Sequence, residues 1–123
     1  MKPKLFMLLP ALLLAACGSG NDSAVPTSVQ LGDPARGQSA FQKNCAECHG
    51  NDAKGTDKGP PLIHRYYEPG HHADIAFQLA VKQGVRQHHW SFGDMPPQPE
   101  VSASSVNDII AWVRQEQRKA GIR

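Results

Sequence analysis

Cys45-Ala46-Glu47-Cys48-His49 is the stretch from which the rest of the chain is read. Two thiols three positions apart stand roughly one helical turn (~3.6 residues) from each other, and an imidazole follows at once. Covalent attachment of a c-type haem needs that spacing: each sulfur can form a thioether with a haem vinyl while the histidine sits beneath the iron. Two other chemistries use paired cysteines. A redox dithiol requires a strand before the motif and a sheet after it, and neither pattern is present. A zinc site would draw on two of the other histidines, but it explains neither the imidazole adjoining Cys48 nor a Met-Pro pair later in the chain.

The N-terminus reads as a targeting segment. Lys2 and Lys4 form a charged opening, and Leu5 to Leu14 is an apolar run interrupted by Pro10 and too short to span a bilayer comfortably. Leu14-Ala15-Ala16-Cys17 then resembles a bacterial lipobox. The resemblance implies diacylglycerol transfer to Cys17, removal of residues 1–16 as a signal peptide, and a lipid-anchored, exported protein facing the periplasm or cell exterior. An ordinary secretory signal cleaved near Ala16 and an uncleaved anchor are the alternatives. The three cysteines divide into one for lipid and two for haem, with none left for a disulfide.

Of the 13 basic side chains, Lys2 and Lys4 leave with the signal, so the remaining 11 balance the 11 acidic ones. A neutral domain is a poor partner for nucleic acid. The mature chain of about 107 residues holds few large apolar side chains, too few for a robust core without help from a bound hydrophobic group. Residues 17–32 are the lipidated end and a polar tether; 15 such residues have an r.m.s. span of about 20–23 Å. Residues 33–123 form the domain.

Asp33-Pro34 predicts a helix start, with Asp as the cap and Pro in the first turn, running to near Cys45. Residues 50–70 predict an irregular loop rich in Gly and Pro. A second helix is expected over Ala73–Gln83, with Ile75, Leu79 and Ala80 available for the core and Gly84 as its stop. Ser102 caps the clearest helix, in which Val106, Ile109, Ile110 and Val113 recur at helical spacing before Gly121. No strand pair is expected, so the fold class is all-α, with three main helices.

Gly59-Pro60-Pro61-Leu62 follows the cysteine motif closely, and Met95-Pro96 lies 45 intervening residues beyond His49. Taken with helix, Cys-x-x-Cys-His, middle helix and C-terminal helix, this order resembles a class I c-type cytochrome over residues 33 to about 119. The resemblance implies one covalent haem c, Cys45 and Cys48 as its thioether residues, and His49 and Met95 as iron ligands. It also implies that the Pro60 carbonyl orients His49 by accepting its Nδ1 proton, and that Gly37, Phe41 and Trp112 occupy a close crossing of the first and last helices. Met95 is the only methionine left in the mature chain, since Met1 and Met7 lie in the signal. Pro60 and Leu62 as loop punctuation, and Met95 and Trp112 as simple packing, are the plainer readings of those residues.

His and Met on opposite faces leave no open iron position, so the implied activity is one-electron transfer rather than catalysis. The partners would be redox proteins docking transiently near the haem edge at Cys48, with Lys43, Lys54 and Lys58 as a candidate local patch and the domain a monomer. If Met95 were off the iron, a haem sensor or peroxidase-like enzyme would be the alternative. The pairs His71-His72 and His88-His89 are not needed by this scheme. They read as exposed polar side chains or hydrogen-bond donors to haem propionates, as a second metal site for copper, or as a replacement for Met95. The second of these would make the chain a copper-handling cytochrome.

Overall fold

A computed structural model of the protein describes residues 31–123. Residues 1–30, which include the expected signal peptide, Cys17 and nearly all of the tether, lie outside the described residues. Among those described, four α-helices follow in order: α1 (Pro34–Asn44), α2 (Ala46–His49), α3 (Asp74–Gln83) and α4 (Ala103–Lys119). A 3-10 turn over Arg65–Tyr67 interrupts the loop between α2 and α3. None of the helices is long and apolar enough to cross a membrane.

Helix α1 starts where its cap chemistry says it must. The Asp33 carboxylate accepts from the backbone N–H of Ala35 at 2.8 Å and of Arg36 at 3.2 Å, donors the first turn cannot satisfy internally. Asp108 of α4 reaches the same corner, accepting from Asp33 N at 2.7 Å and from Arg36 Nε at 2.8 Å. Those two contacts lower the Asp108 carboxyl below its usual range, the Arg36 guanidinium first and the Asp33 amide second. The helices cross here because Gly37 has no side chain. A Cβ on it would stand 1.9 Å from the Asp108 carbonyl oxygen.

The core lies in the angle between α1 and α4. Phe41 is fully buried and its ring meets Trp112 at 4.8 Å between centroids, tilted by 47°. Val106, Ile109, Ile110 and Val113 are all buried along α4, as their spacing predicts. Ser102 caps that helix by accepting from Ser105 N at 3.2 Å, and the helix ends at Lys119, two residues before Gly121 in the left-handed region at φ 77°.

Helix α3 departs from expectation. It begins at Asp74, and Ile75 and Leu79 are 63% and 45% exposed instead of joining the core. The face that meets α4 is set by polar partners. Asp74 binds Arg114 Nε at 2.8 Å, Gln78 binds Asn107 at 2.6 Å, and Phe77 lies under the Arg114 guanidinium at 4.9 Å. This rotation leaves Leu79 and Ala80 along a separate cavity and Ile75 outside both.

Two buried polar side chains on α4 hold the loops. Arg114 donates to the carbonyls of Tyr67 and His72, each at 2.5 Å, and to Gln117 Oε1 at 2.7 Å. Gln117 in turn donates to the Leu62 and Tyr67 carbonyls, each at 2.9 Å. A chain segment with no regular structure thereby has its inward carbonyls satisfied by a helix. Arg114→Met, which keeps the stem and removes the donors, is expected to cost about 3 kcal/mol, the upper range for hydrogen bonds to a charged group. Denaturant titration measures that loss, and hydrogen exchange should quicken first at residues 64–72.

Candidate haem site

Cys45 caps α1, its N–H donating to Phe41 O at 2.8 Å, and the chain turns straight into α2. The turn leaves Cys45 half-buried, Cys48 exposed and His49 buried. Burial first, and then the charges of Cys48 and Glu100, push the Cys45 thiol up to about 11. Gly59 lies against the backbone of Cys48, and Thr56 donates to the Cys48 carbonyl at 2.6 Å. The 50–61 loop is thus folded back onto the cysteine motif.

That return brings Pro60 O to 2.8 Å from His49 Nδ1. A carbonyl can only accept, so Nδ1 carries the proton and Nε2 keeps its lone pair. Burial lowers the His49 pKa, and the Pro60 contact opposes that shift. Phe41 stands 6.4 Å from the imidazole, centroid to centroid.

His49 lines a cavity of about 370 Å³ with Cys45, Pro60 and Leu62 on one side and Met95 among the residues that complete it. Ala76, Phe77, Leu79, Ala80 and Val81 form the α3 part of its lining. A larger hollow of about 790 Å³ lies between the start of α1 and the end of α4. It is open and mostly polar, and it collects no cysteine, histidine or methionine, so the chemistry belongs to the smaller cavity.

Met95 is placed by a feature absent from the sequence reading. Val85 and Met95 form an antiparallel bridge, with N–H···O bonds of 2.9 and 2.8 Å in the two directions. Gly84 makes room for it: its φ is 75°, and a Cβ there would meet Met95 O at 2.5 Å. The bridge closes a loop, residues 86–94, that carries His88, His89 and Trp90 back over the cavity.

Sequence reasoning gave Trp90 no role. Its indole Nε1 is buried and makes no well-formed hydrogen bond. The Tyr67 hydroxyl lies close enough to feel it, although burial dominates and raises the Tyr67 pKa. An apolar ring with an unsatisfied N–H at the cavity wall is the pattern that would have flagged it.

The residues fit the haem that the cysteine motif implies. The cavity is within the size range of cofactor sites and largely apolar, as a porphyrin face requires. Cys45 and His49 stand in its wall next to Cys48, and an orphaned donor on Trp90 suits a cofactor carrying carboxylates.

The structure gathers the extra histidines too. His71, His72 and His89 each bring a ring nitrogen within 4.8 Å of the others, and His88 stacks on His72 at 5.8 Å. Burial chiefly, and then the neighbouring imidazoles, hold His72 and His89 below the ordinary histidine range, although a hydrogen bond to Tyr66 pulls His72 the other way. A histidine lowered by folding binds its proton more readily when unfolded, so stability is present above about pH 6.5 and is lost on acidification below it. In chelator-treated buffer the urea midpoint is expected to fall from about pH 7 to about pH 5. A His71→Gln, His88→Gln double variant should show a shallower slope.

The lysines near the motif do not form a patch. Lys58 is paired with Glu47 at 2.8 Å and Lys54 with Asp52 at 3.4 Å, so two of the three candidate charges are locally neutralised, with Lys43 the remaining exposed one. Exposed pairs of this kind contribute little to stability.

Comparison with curated proteins and with solved structures finds no match. The family profile described as Cytochrome c matches residues 34–117, a span that holds the cysteine motif, the cavity and Met95. With that match over more than half of its length, the chain belongs to the cytochrome c family, whose members carry covalently attached haem c and serve in electron transfer.

Proposed function

We propose that the protein is a membrane-tethered electron carrier of the class I type, with one haem c attached through Cys45 and Cys48 and ligated by His49 and Met95. The observation that carries this reading is the pairing, in one apolar cavity, of a methionine and a buried imidazole whose Nδ1 is committed to Pro60 O. Bound there, haem c supplies a one-electron ferric/ferrous couple.

The chain's own part is positional. His49 is held in one tautomer by Pro60, so Nε2 is the nitrogen available to a metal. The Val85 bridge holds the backbone of Met95 at two points. With His49 and Met95 both held in this way, neither residue would need to move as an electron enters or leaves a haem bound between them. Cys48 is exposed while Cys45 is half-buried, and so electrons would pass at the Cys48 edge, through brief encounters with redox partner proteins. With paired lysines nearby, long-range steering would be modest.

Occupation of both axial positions has a direct test. The ferrous protein at neutral pH is expected not to bind carbon monoxide, and the ferric protein to show the weak absorption of iron bound to methionine sulfur. Rapid carbon monoxide binding would favour the sensor or peroxidase reading instead. The tether rests on Leu14-Ala15-Ala16-Cys17. Cys17→Ser is expected to move the protein from the membrane fraction to the soluble exported fraction with its visible spectrum unchanged.

A further inference from the structure

Two segments separated by α3 bring three imidazoles together. His71 and His72 precede that helix and His89 follows it, yet one ring nitrogen from each lies within 4.8 Å of the other two. His71 Nε2 and His89 Nε2 are 3.2 Å apart. Two imidazole nitrogens each about 2.05 Å from a tetrahedral ion are separated by about 3.3 Å, so this pair already stands at the spacing of two ligands.

The third ring is preset in its tautomer. His72 Nδ1 lies 2.5 Å from the Tyr66 carbonyl, which can only accept, and Nε2 is therefore left with its lone pair. Donation of the second ring N–H to a backbone carbonyl is how metal-binding histidines are usually oriented. The His72 carbonyl is itself gripped by buried Arg114, so the segment rests on the core rather than on solvent. His88 stands beside the trio, 4.3 Å from His89 between ring centroids, with its own Nδ1 against Arg86 O at 2.9 Å. No carboxylate belongs to the group, and an all-imidazole set suits copper, nickel or zinc and not calcium or magnesium.

We propose that His71, His72 and His89 form a site for one divalent transition-metal ion, with copper(II) bound more tightly than zinc(II), and with the fourth position open to water or to His88. The site shares a wall with the haem cavity, since His72 and His89 line both. It does not depend on which residue holds the haem iron from the distal side.

The rival account of the 3.2 Å contact is a hydrogen bond between two neutral imidazoles, with the rings serving only the haem carboxylates. Isothermal titration of copper(II) and of zinc(II) into the untagged, haem-loaded protein separates the two. One equivalent of each is expected to bind, with affinity falling at least tenfold in His71→Ala and in His89→Ala. Electron paramagnetic resonance of the copper form of the unaltered protein should show nitrogen hyperfine structure, which needs no variant to fold. Absence of stoichiometric binding, unchanged affinity in both variants, or a copper signal from oxygen ligands alone overturns the proposal. So does a changed haem potential in the variants with metal affinity intact, because the histidines would then serve the haem.

Discussion

Met95→His is expected to lower the midpoint potential while the haem stays attached, since the thioether cysteines are untouched. Exchanging sulfur for a second nitrogen ligand favours the ferric state. A fall on the order of 200 mV is expected, a fraction of the roughly 0.8 V range that axial ligands span. At ~59 mV per decade for one electron, that shifts the ferric-to-ferrous ratio about a thousandfold or more at a given ambient potential. The two hydrogen bonds to Val85 are made by the Met95 backbone, so a change of side chain leaves that anchorage in place. Potentiometric titration of the variant measures the fall. An unchanged potential means that the sulfur of Met95 was never on the iron, and the carrier reading would then lose its distal ligand.

Gly37→Val should produce a large loss of stability. Its Cβ would lie 1.9 Å from the Asp108 carbonyl oxygen, 2.5 Å from the carbonyl carbon and 3.0 Å from Ile109 N. These are backbone atoms of a long helix and cannot rotate aside, so the α1/α4 crossing has to open and the Phe41–Trp112 contact with it. The cost is expected to be about 3 kcal/mol, the top of the usual range for overpacking. Thermal unfolding followed by circular dichroism would register it as a drop of about 15 °C in a domain of this size. Arg36→Ala, one residue away, is the control. Its side chain is 62% exposed, and although it contacts Asp33 and Asp108 its loss should move the unfolding midpoint far less than Gly37→Val does. Equal effects from the two variants would mean that the corner is held by charge and not by close approach.

The parts of this fold that were legible in the sequence are those whose cause is local. Asp33-Pro34 starts α1 by capping chemistry that needs no tertiary contact, and the apolar stripe of α4 is buried along the residues its period marks. The three main helices and the family followed from the cysteine motif and the order of elements around it. Ile75 went astray for a different reason. Periodicity shows that a face is apolar but not what it meets, and α3 was turned by Asp74 and Gln78 finding partners on α4. Arg114 and Gln117 were invisible for the complementary reason. Polar residues in a helix read as solvent-facing unless one knows that carbonyls from residues 62, 67 and 72 will converge on them. The lysine patch failed because Glu47 and Asp52 lie within reach only once the 50–61 loop folds back. Trp90 and the closing of the histidine group depend on the Val85–Met95 bridge, a pairing of two residues too short to leave any alternating pattern.

That bridge has a lasting consequence for how the chain can change. Because both ends of segment 86–94 are pinned at its neck, exposed positions that do not line the cavity, such as Arg86 and Ser91, can change without dragging Met95 from its post. Variation over generations is therefore channelled to the outer rim of that lobe, while its inner side, His89 and Trp90, answers to the cavity it roofs.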